Sequence, residues 1–198
     1  MKLNSFMTCL ENNNNAFCVN SPIFTNSMPG GSLNLSMSAD QYVTTGTNEL
    51  PFGSSPRSFF SWIYVTNYPK SGQIYPIGCY GTNVPYESSC LYLTSGRNLD
   101  FSPTGADFGS NQKVPLDEWT FVGYTISAST VVIYTGRQNT TLVLGRALNT
   151  KIGSSFIGKD LTGDFMNGEI GQVRYYNQTL SHSEVLGIYL SGGNLSLV

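Results

Sequence analysis

From residue 33 to residue 176 the chain is a succession of short runs in which apolar and polar residues alternate or, mid-chain, apolar residues fill both parities. Leu33-Asn-Leu-Ser-Met37 has the period of two that sends successive side chains to opposite faces of a strand. Further runs occupy residues 41–44, 58–65, 73–79, 91–94, 98–101, 119–126, 130–134, 140–144, 155–158 and 169–176. Each is bounded by Gly, Pro, Asn or Ser, the residues that build turns. Eleven short strands closed by turns at such regular intervals predict an all-β antiparallel sandwich over residues 31–198.

In Phe59-Phe-Ser-Trp-Ile-Tyr-Val65 one face takes Phe59, Ile63 and Val65 and the other Phe60, Trp62 and Tyr64. Such a strand is expected to be covered on both sides. The period changes once, near the C-terminal end. Ser181 followed three residues later by Glu184 is a capping box, and Val185, Leu186 and Tyr189 form the apolar stripe of one short helix that reaches about Leu190 and stops at Gly192-Gly193. Residues 1–30, with the Asn12 to Asn15 run and the Pro29-Gly30-Gly31 turn, read as an irregular N-terminal arm, with an extra edge strand, a docking peptide and a disordered tail as its open roles.

Composition narrows the function. Ser, Thr and Asn number 24, 18 and 18, whereas charged residues make up only 11% of the 198-residue chain, which has 40% hydrophobic residues. That balance excludes disorder driven by charge. Ten Lys and Arg against twelve Asp and Glu leave a net charge of −2 with no basic cluster, so nucleic acid is excluded as a partner. No stretch approaches the roughly 20 apolar residues that cross a bilayer, and Met1 to Asn15 lacks the apolar core of a signal peptide. Four sequons, at Asn34, Asn139, Asn177 and Asn194, nevertheless point outward, to an extracellular, cell-surface or virion-surface glycoprotein. The two observations agree if this is a mature or excised domain, or a virion protein that reaches the outside without a signal.

Cys9, Cys18, Cys79 and Cys90 are spaced too widely for the C-x2-C pairs of a structural zinc site. They fit two short disulfide-closed loops, Cys9–Cys18 and Cys79–Cys90, although four cysteines allow three pairings and a reduced set is the alternative. Catalytic chemistry finds little support. His182 is the sole histidine, at a solvated helix start, and no strand carries the spaced carboxylate pair of a glycoside hydrolase; Glu169 stands with Gly171 and Val173 where further acids would be required.

Three motifs carry a resemblance over residues 33–190. They are Ser58-Phe-Phe-Ser-Trp62-Ile-Tyr-Val65; Leu116-Asp-Glu-Trp119-Thr-Phe-Val-Gly-Tyr124 with its hairpin partner Val131-Val-Ile-Tyr134-Thr-Gly136; and the closing stretch from Phe156-Ile-Gly158 through Phe165-Met-Asn-Gly168-Glu-Ile170 to Leu180-Ser-His-Ser-Glu184. The sequence resembles the concanavalin A-like, laminin G-like sandwich domains of surface proteins. That resemblance implies a concanavalin A-like jelly roll, and Trp62 and Trp119 as packing residues. It also implies a non-catalytic, lectin-like adhesion module for a glycan or protein partner at a surface; a structural or interaction domain of a virion, appendage or surface layer, with self-association, is the alternative. The aromatic residues expected in loops, Tyr80, Tyr86 and Phe108, together with Asn167, are the ligand-binding candidates. Calcium is the one cofactor implied, held by the hard oxygens of Asp160 and Asp164 and by Asp40 ahead of the Tyr42 strand.

Overall fold

The computed structural model describes residues 16–47 and 49–192. In chain order its strands are β1 (Ala16–Val19), β2 (Ile23–Thr25), β3 (Ser32–Leu35), β4 (Tyr42–Thr45), β5 (Arg57–Tyr64), β6 (Ile74–Gly81), β7 (Ser88–Thr94), β8 (Asn98–Ser102), β9 (Phe108–Lys113), β10 (Thr120–Ser127), β11 (Thr130–Thr135), β12 (Gln138–Val143), β13 (Ser154–Ile157) and β14 (Gly168–Tyr176), followed by helix α1 (His182–Leu190). Two seven-stranded sheets result: sheet I in the order β1-β4-β13-β6-β7-β8-β9 and sheet II in the order β12-β11-β10-β5-β14-β3-β2. Every pairing is antiparallel.

The alternation read from the sequence sorts the two faces. Phe59, Ile63 and Val65 enter the central core with Leu91, Leu93, Leu99 and Phe101 from sheet I and Val122, Tyr124 and Ile126 from β10. The opposite parity of β5 feeds a second, smaller core in which Phe60 and Phe121 pack with Tyr134, Leu180 and Val185, flanked by Trp62 and Tyr189. Helix α1 is therefore the outer cover of sheet II. Its capping box forms as the sequence indicates: the Ser181 side chain accepts from the Glu184 amide, and the Glu184 carboxylate accepts from the Ser181 amide at 2.7 Å. Beneath this second core the Phe60 ring lies on Gly123, its cross-strand partner in β10, so closely that a Cβ there would come within 2.3 Å of the ring.

Residues 16–25, within the N-terminal arm, supply outer strands: β1 is one edge of sheet I and β2 one edge of sheet II. The β9 strand is a further addition, an edge whose polar residues give no apolar alternation. Three irregularities interrupt the ladders: between Pro76 and Gly78 where β6 meets β7, between Asn98 and Asp100 where β8 meets β9, and between Gly171 and Arg174 where β14 meets β5.

Candidate functional site

On β7 and β8 the residues that alternate with the buried Leu91, Leu93, Leu99 and Phe101 are Tyr92, Thr94, Asp100 and Ser102, and they face outward from sheet I. Two loops rise beside them. Thr104, Gly105 and Asp107 come from the turn between β8 and β9, and Asp160 to Thr162 with Asp164 from the segment after β13; together they enclose a depression of about 220 Å³. That is smaller than the roughly 300–1,000 Å³ of sites that engulf drug-sized ligands, and its size suits one small polar ring or the end of a chain.

The floor is organised by hydrogen bonds. Asn98 Nδ2 donates to Asp100 Oδ1 at 2.7 Å, and the Thr94 hydroxyl donates to Asn98 Oδ1 at 3.1 Å. Burial pushes the Asp100 carboxyl above the usual carboxylate range, the nearby Asp107 adds to the rise, and Lys113 opposes it. Asp164 is raised by burial and by Asp160. Tyr92 is held protonated by burial and by the charges of Asp160, Asp107 and Asp164. The site therefore presents carboxylate and hydroxyl oxygens as acceptors beside the Tyr92 hydroxyl, with the Thr94 and Ser102 hydrogens directed at Asn98 and the Ala106 carbonyl.

Of the residues singled out from the sequence, Asp160 and Asp164 line this depression. Asp160 is only 3% exposed and its carboxylate is already spent: Oδ1 accepts from the amides of Thr162, Gly163 and Asp164 at 2.9, 2.7 and 2.8 Å, and Oδ2 accepts from the Thr162 hydroxyl. Those donors pin the loop and point their hydrogens where a cation would have to sit. Asp40 takes a different job, in the left-handed conformation that ends the short 3₁₀ helix Met37–Ala39, with its carbonyl accepting from Asn20 Nδ2 at 2.9 Å. Among the described residues no group of three or more His, Cys, Asp or Glu is placed to hold a metal ion. The Asp160 oxygens are thus taken up by the chain itself, and Asp40 does not line the depression.

The ligand-binding aromatics fall elsewhere. Tyr80 is corrected outright: it is not an exposed loop residue but the seventh residue of β6, 1% exposed, with its hydroxyl accepting from Arg57 Nη1 at 2.8 Å and donating to the Pro51 carbonyl at 3.1 Å. Burial, offset by the Arg57 charge, pushes its phenol up to about 12. The buried Arg57 guanidinium is satisfied there by neutral acceptors, Tyr80, Thr150, Ser55 and Gly53. Tyr86 is half-buried against the central core, with the Arg146 guanidinium 4.2 Å from its ring centroid. Phe108 opens β9 and packs on the same core, and Asn167 immediately precedes β14. None of the four lines the depression. What the sequence missed is the set Tyr92, Thr94, Asp100, Ser102 and Asp107, for which the outward parity of 92, 94, 100 and 102 was the available signal.

Cys79 and Cys90 form the expected disulfide and face each other across β6 and β7. Cys18 is also disulfide-bonded, and its expected partner Cys9 lies outside the described residues. Asn34, Asn139 and Asn177 are exposed; Asn194 lies outside the described residues.

Residues 37–186 match the family described as the concanavalin A-like lectin/glucanases superfamily, in its laminin G type, and the chain belongs to that family. Solved structures similar in fold include the following three. Domain 4 of AbnA, an extracellular arabinanase from Geobacillus stearothermophilus solved in complex with arabinotriose, shares 14% identity at a TM-score of 0.65, over 85% of this chain and 81% of that one. The binding domain of Paraclostridial Mosquitocidal Protein 1 shares 14% at a TM-score of 0.71, over 90% and 48%. Trypanosoma rangeli sialidase shares 17% at a TM-score of 0.63, over 89% of this chain and 29% of the enzyme. The chain thus spans most of the arabinanase domain, but about half of the mosquitocidal binding domain and under a third of the sialidase. A search of curated proteins returns no match.

Proposed function

We propose that this sandwich is a non-catalytic, lectin-like carbohydrate-binding module that works outside the cell or at a surface, and that the depression on the outer face of sheet I takes a single neutral sugar unit. The observation that carries this reading is the combination of Asp100, Asp107 and Asp164 as acceptors with the Tyr92, Thr94 and Ser102 hydroxyls around one small hollow. Vicinal hydroxyls of a sugar need that mixture of acceptors and donors, and the clustered carboxylates disfavour sialic acids and other anions. The arabinanase domain with arabinotriose bound supports a saccharide ligand for a domain of this shape. The Cys79–Cys90 disulfide supports an oxidising location.

The test is a glycan array followed by calorimetry with the best ligand, run with calcium and with chelator, on the parent protein and on Asp100→Asn and Tyr92→Phe. Binding of a neutral glycan that is indifferent to chelator and falls about tenfold or more in Asp100→Asn is expected, the loss of one charged hydrogen bond being worth about 1.5–3 kcal/mol. An array silent in both conditions, with a protein that assembles in solution, would replace this reading with a structural domain of a surface assembly.

A further inference from the structure

Beside the depression, the same outer face carries an arrangement that a saccharide site does not need. Lys159 directs its ammonium into a corner of three rings: Nζ is 4.4 Å from the Tyr42 centroid, 5.0 Å from Phe156 and 5.4 Å from Phe165. The walls are set at angles to one another. Tyr42 and Phe156 meet edge to face at 5.5 Å and 90°, and Phe165 closes the third side at 5.9 Å and 46° from Tyr42. They come from separate elements, Tyr42 from β4, Phe156 from β13, and Phe165 from the end of the 159–165 segment, where an isolated bridge pairs Lys159 with Phe165. All four side chains are only partly buried, so the corner opens to solvent.

We propose that this corner is a binding site for a trimethylammonium group, with Lys159 as its built-in, displaceable occupant. Three electron-rich faces within 6 Å of one point define a cation site, and aromatic cages of this kind prefer quaternary ammonium. A primary ammonium is strongly hydrated and gives up that hydration to enter the cage. The lysine stem must also be ordered along four rotatable bonds to stay there. A trimethylammonium group is less hydrated and lays its methyl groups against the ring faces, so it competes well once the lysine withdraws. When it enters, the Lys159 side chain swings out and the 159–165 segment that walls the sugar depression loses one of its fastenings. The site is independent of the saccharide reading and stands or falls separately.

Choline, titrated by calorimetry and by ring-proton shifts in NMR, is the probe, with the uncharged isostere 3,3-dimethylbutan-1-ol as its control. Lys159→Gln and Lys159→Ala remove the occupant and are expected to bind choline about tenfold more tightly than the parent. Tyr42→Ala, or the milder Phe165→Leu should the first fail to fold, is expected to lose binding in the Lys159→Gln background while melting curves report a folded domain. Capture of the Lys159→Gln protein by phosphatidylcholine vesicles, but not by phosphatidylglycerol vesicles, would assign the group to a lipid headgroup; binding of free choline alone would assign it to a soluble source. Equal affinity for choline and its neutral isostere, or no binding of choline by either lysine variant, would overturn the proposal.

Discussion

Glu169, on β14, receives hydrogen bonds at Oε2 from the hydroxyls of Thr25, at 2.6 Å, Ser32, at 2.8 Å, and Ser27, so that the N-terminal hairpin of β2 and β3 is tied to the C-terminal strand. Partial burial is the largest influence on this carboxyl and raises its pKa, but the three hydroxyls together outweigh it and hold the group below the usual value. A folded-state value below the unfolded one contributes stability that is fully present above the unfolded glutamate range, near pH 4.3, and is lost as pH falls through the folded value. Glu169→Gln is expected to flatten that acid limb, measured as urea midpoints between neutral pH and about pH 3; an unchanged acid limb would count against the hydroxyl clamp. Serine and threonine at 25, 27 and 32 read in the sequence only as turn-formers, because their shared acceptor lies more than 130 residues away. The burial of Tyr80 is hidden from the sequence for a related reason. Without a bulge, Cys79 would follow Tyr75 and Ile77 toward the central core; the irregularity between Pro76 and Gly78 exchanges the faces, so Tyr80 turns inward against Tyr175, and Cys79 turns to the other face of sheet I, where it too is buried.

At the scale of elements, the β6–β7 hairpin is doubly closed, by its ladder and by the Cys79–Cys90 bridge across a sequence separation of 11. A bridge over so short a loop stabilises mostly by restricting the unfolded chain, by about 2–3 kcal/mol. The double variant Cys79→Ser/Cys90→Ser is expected to fold and to lose about that much in denaturant unfolding, with no change in the sheet signature of its circular dichroism. This pairing, the two-sided β5 strand and α1 with its cap were all legible, since each rests on contacts between residues near in sequence or on strict alternation. The β1, β2 and β9 strands were not. Each is an edge strand, and edge strands need no buried apolar face to be held; in β9 only Ser110 is buried.

For the whole molecule, chain order and spatial order run apart. The last strand, β14, lies inside sheet II between β5 and β3, whereas the first two strands each stand at one edge of a sheet. A chain beginning at Gly31 is therefore expected to keep the sandwich and melt at a lower temperature, while one ending before Gly168 is expected not to fold; thermal scans and proton NMR dispersion distinguish the outcomes, and a Gly31 chain without a cooperative transition would refute the prediction. The same separation explains why the fold was readable and the site was not. Residue types and spacing fix layers and turns, but the depression joins Asp100 and Asp107 to Asp160 and Asp164 across more than fifty residues of chain. Carboxylates that meet only through folding leave no local pattern. The placement of the ends also gives the domain a mechanical polarity. A load applied at residue 16 meets β1 and then β2, strands paired on one side only, whose hydrogen bonds break in succession. A load applied beyond α1 is passed to β14, which is gripped by neighbours on both sides and must shear them together. A module of this shape anchored through its C-terminal end would withstand far greater tension than one anchored through its N-terminal end.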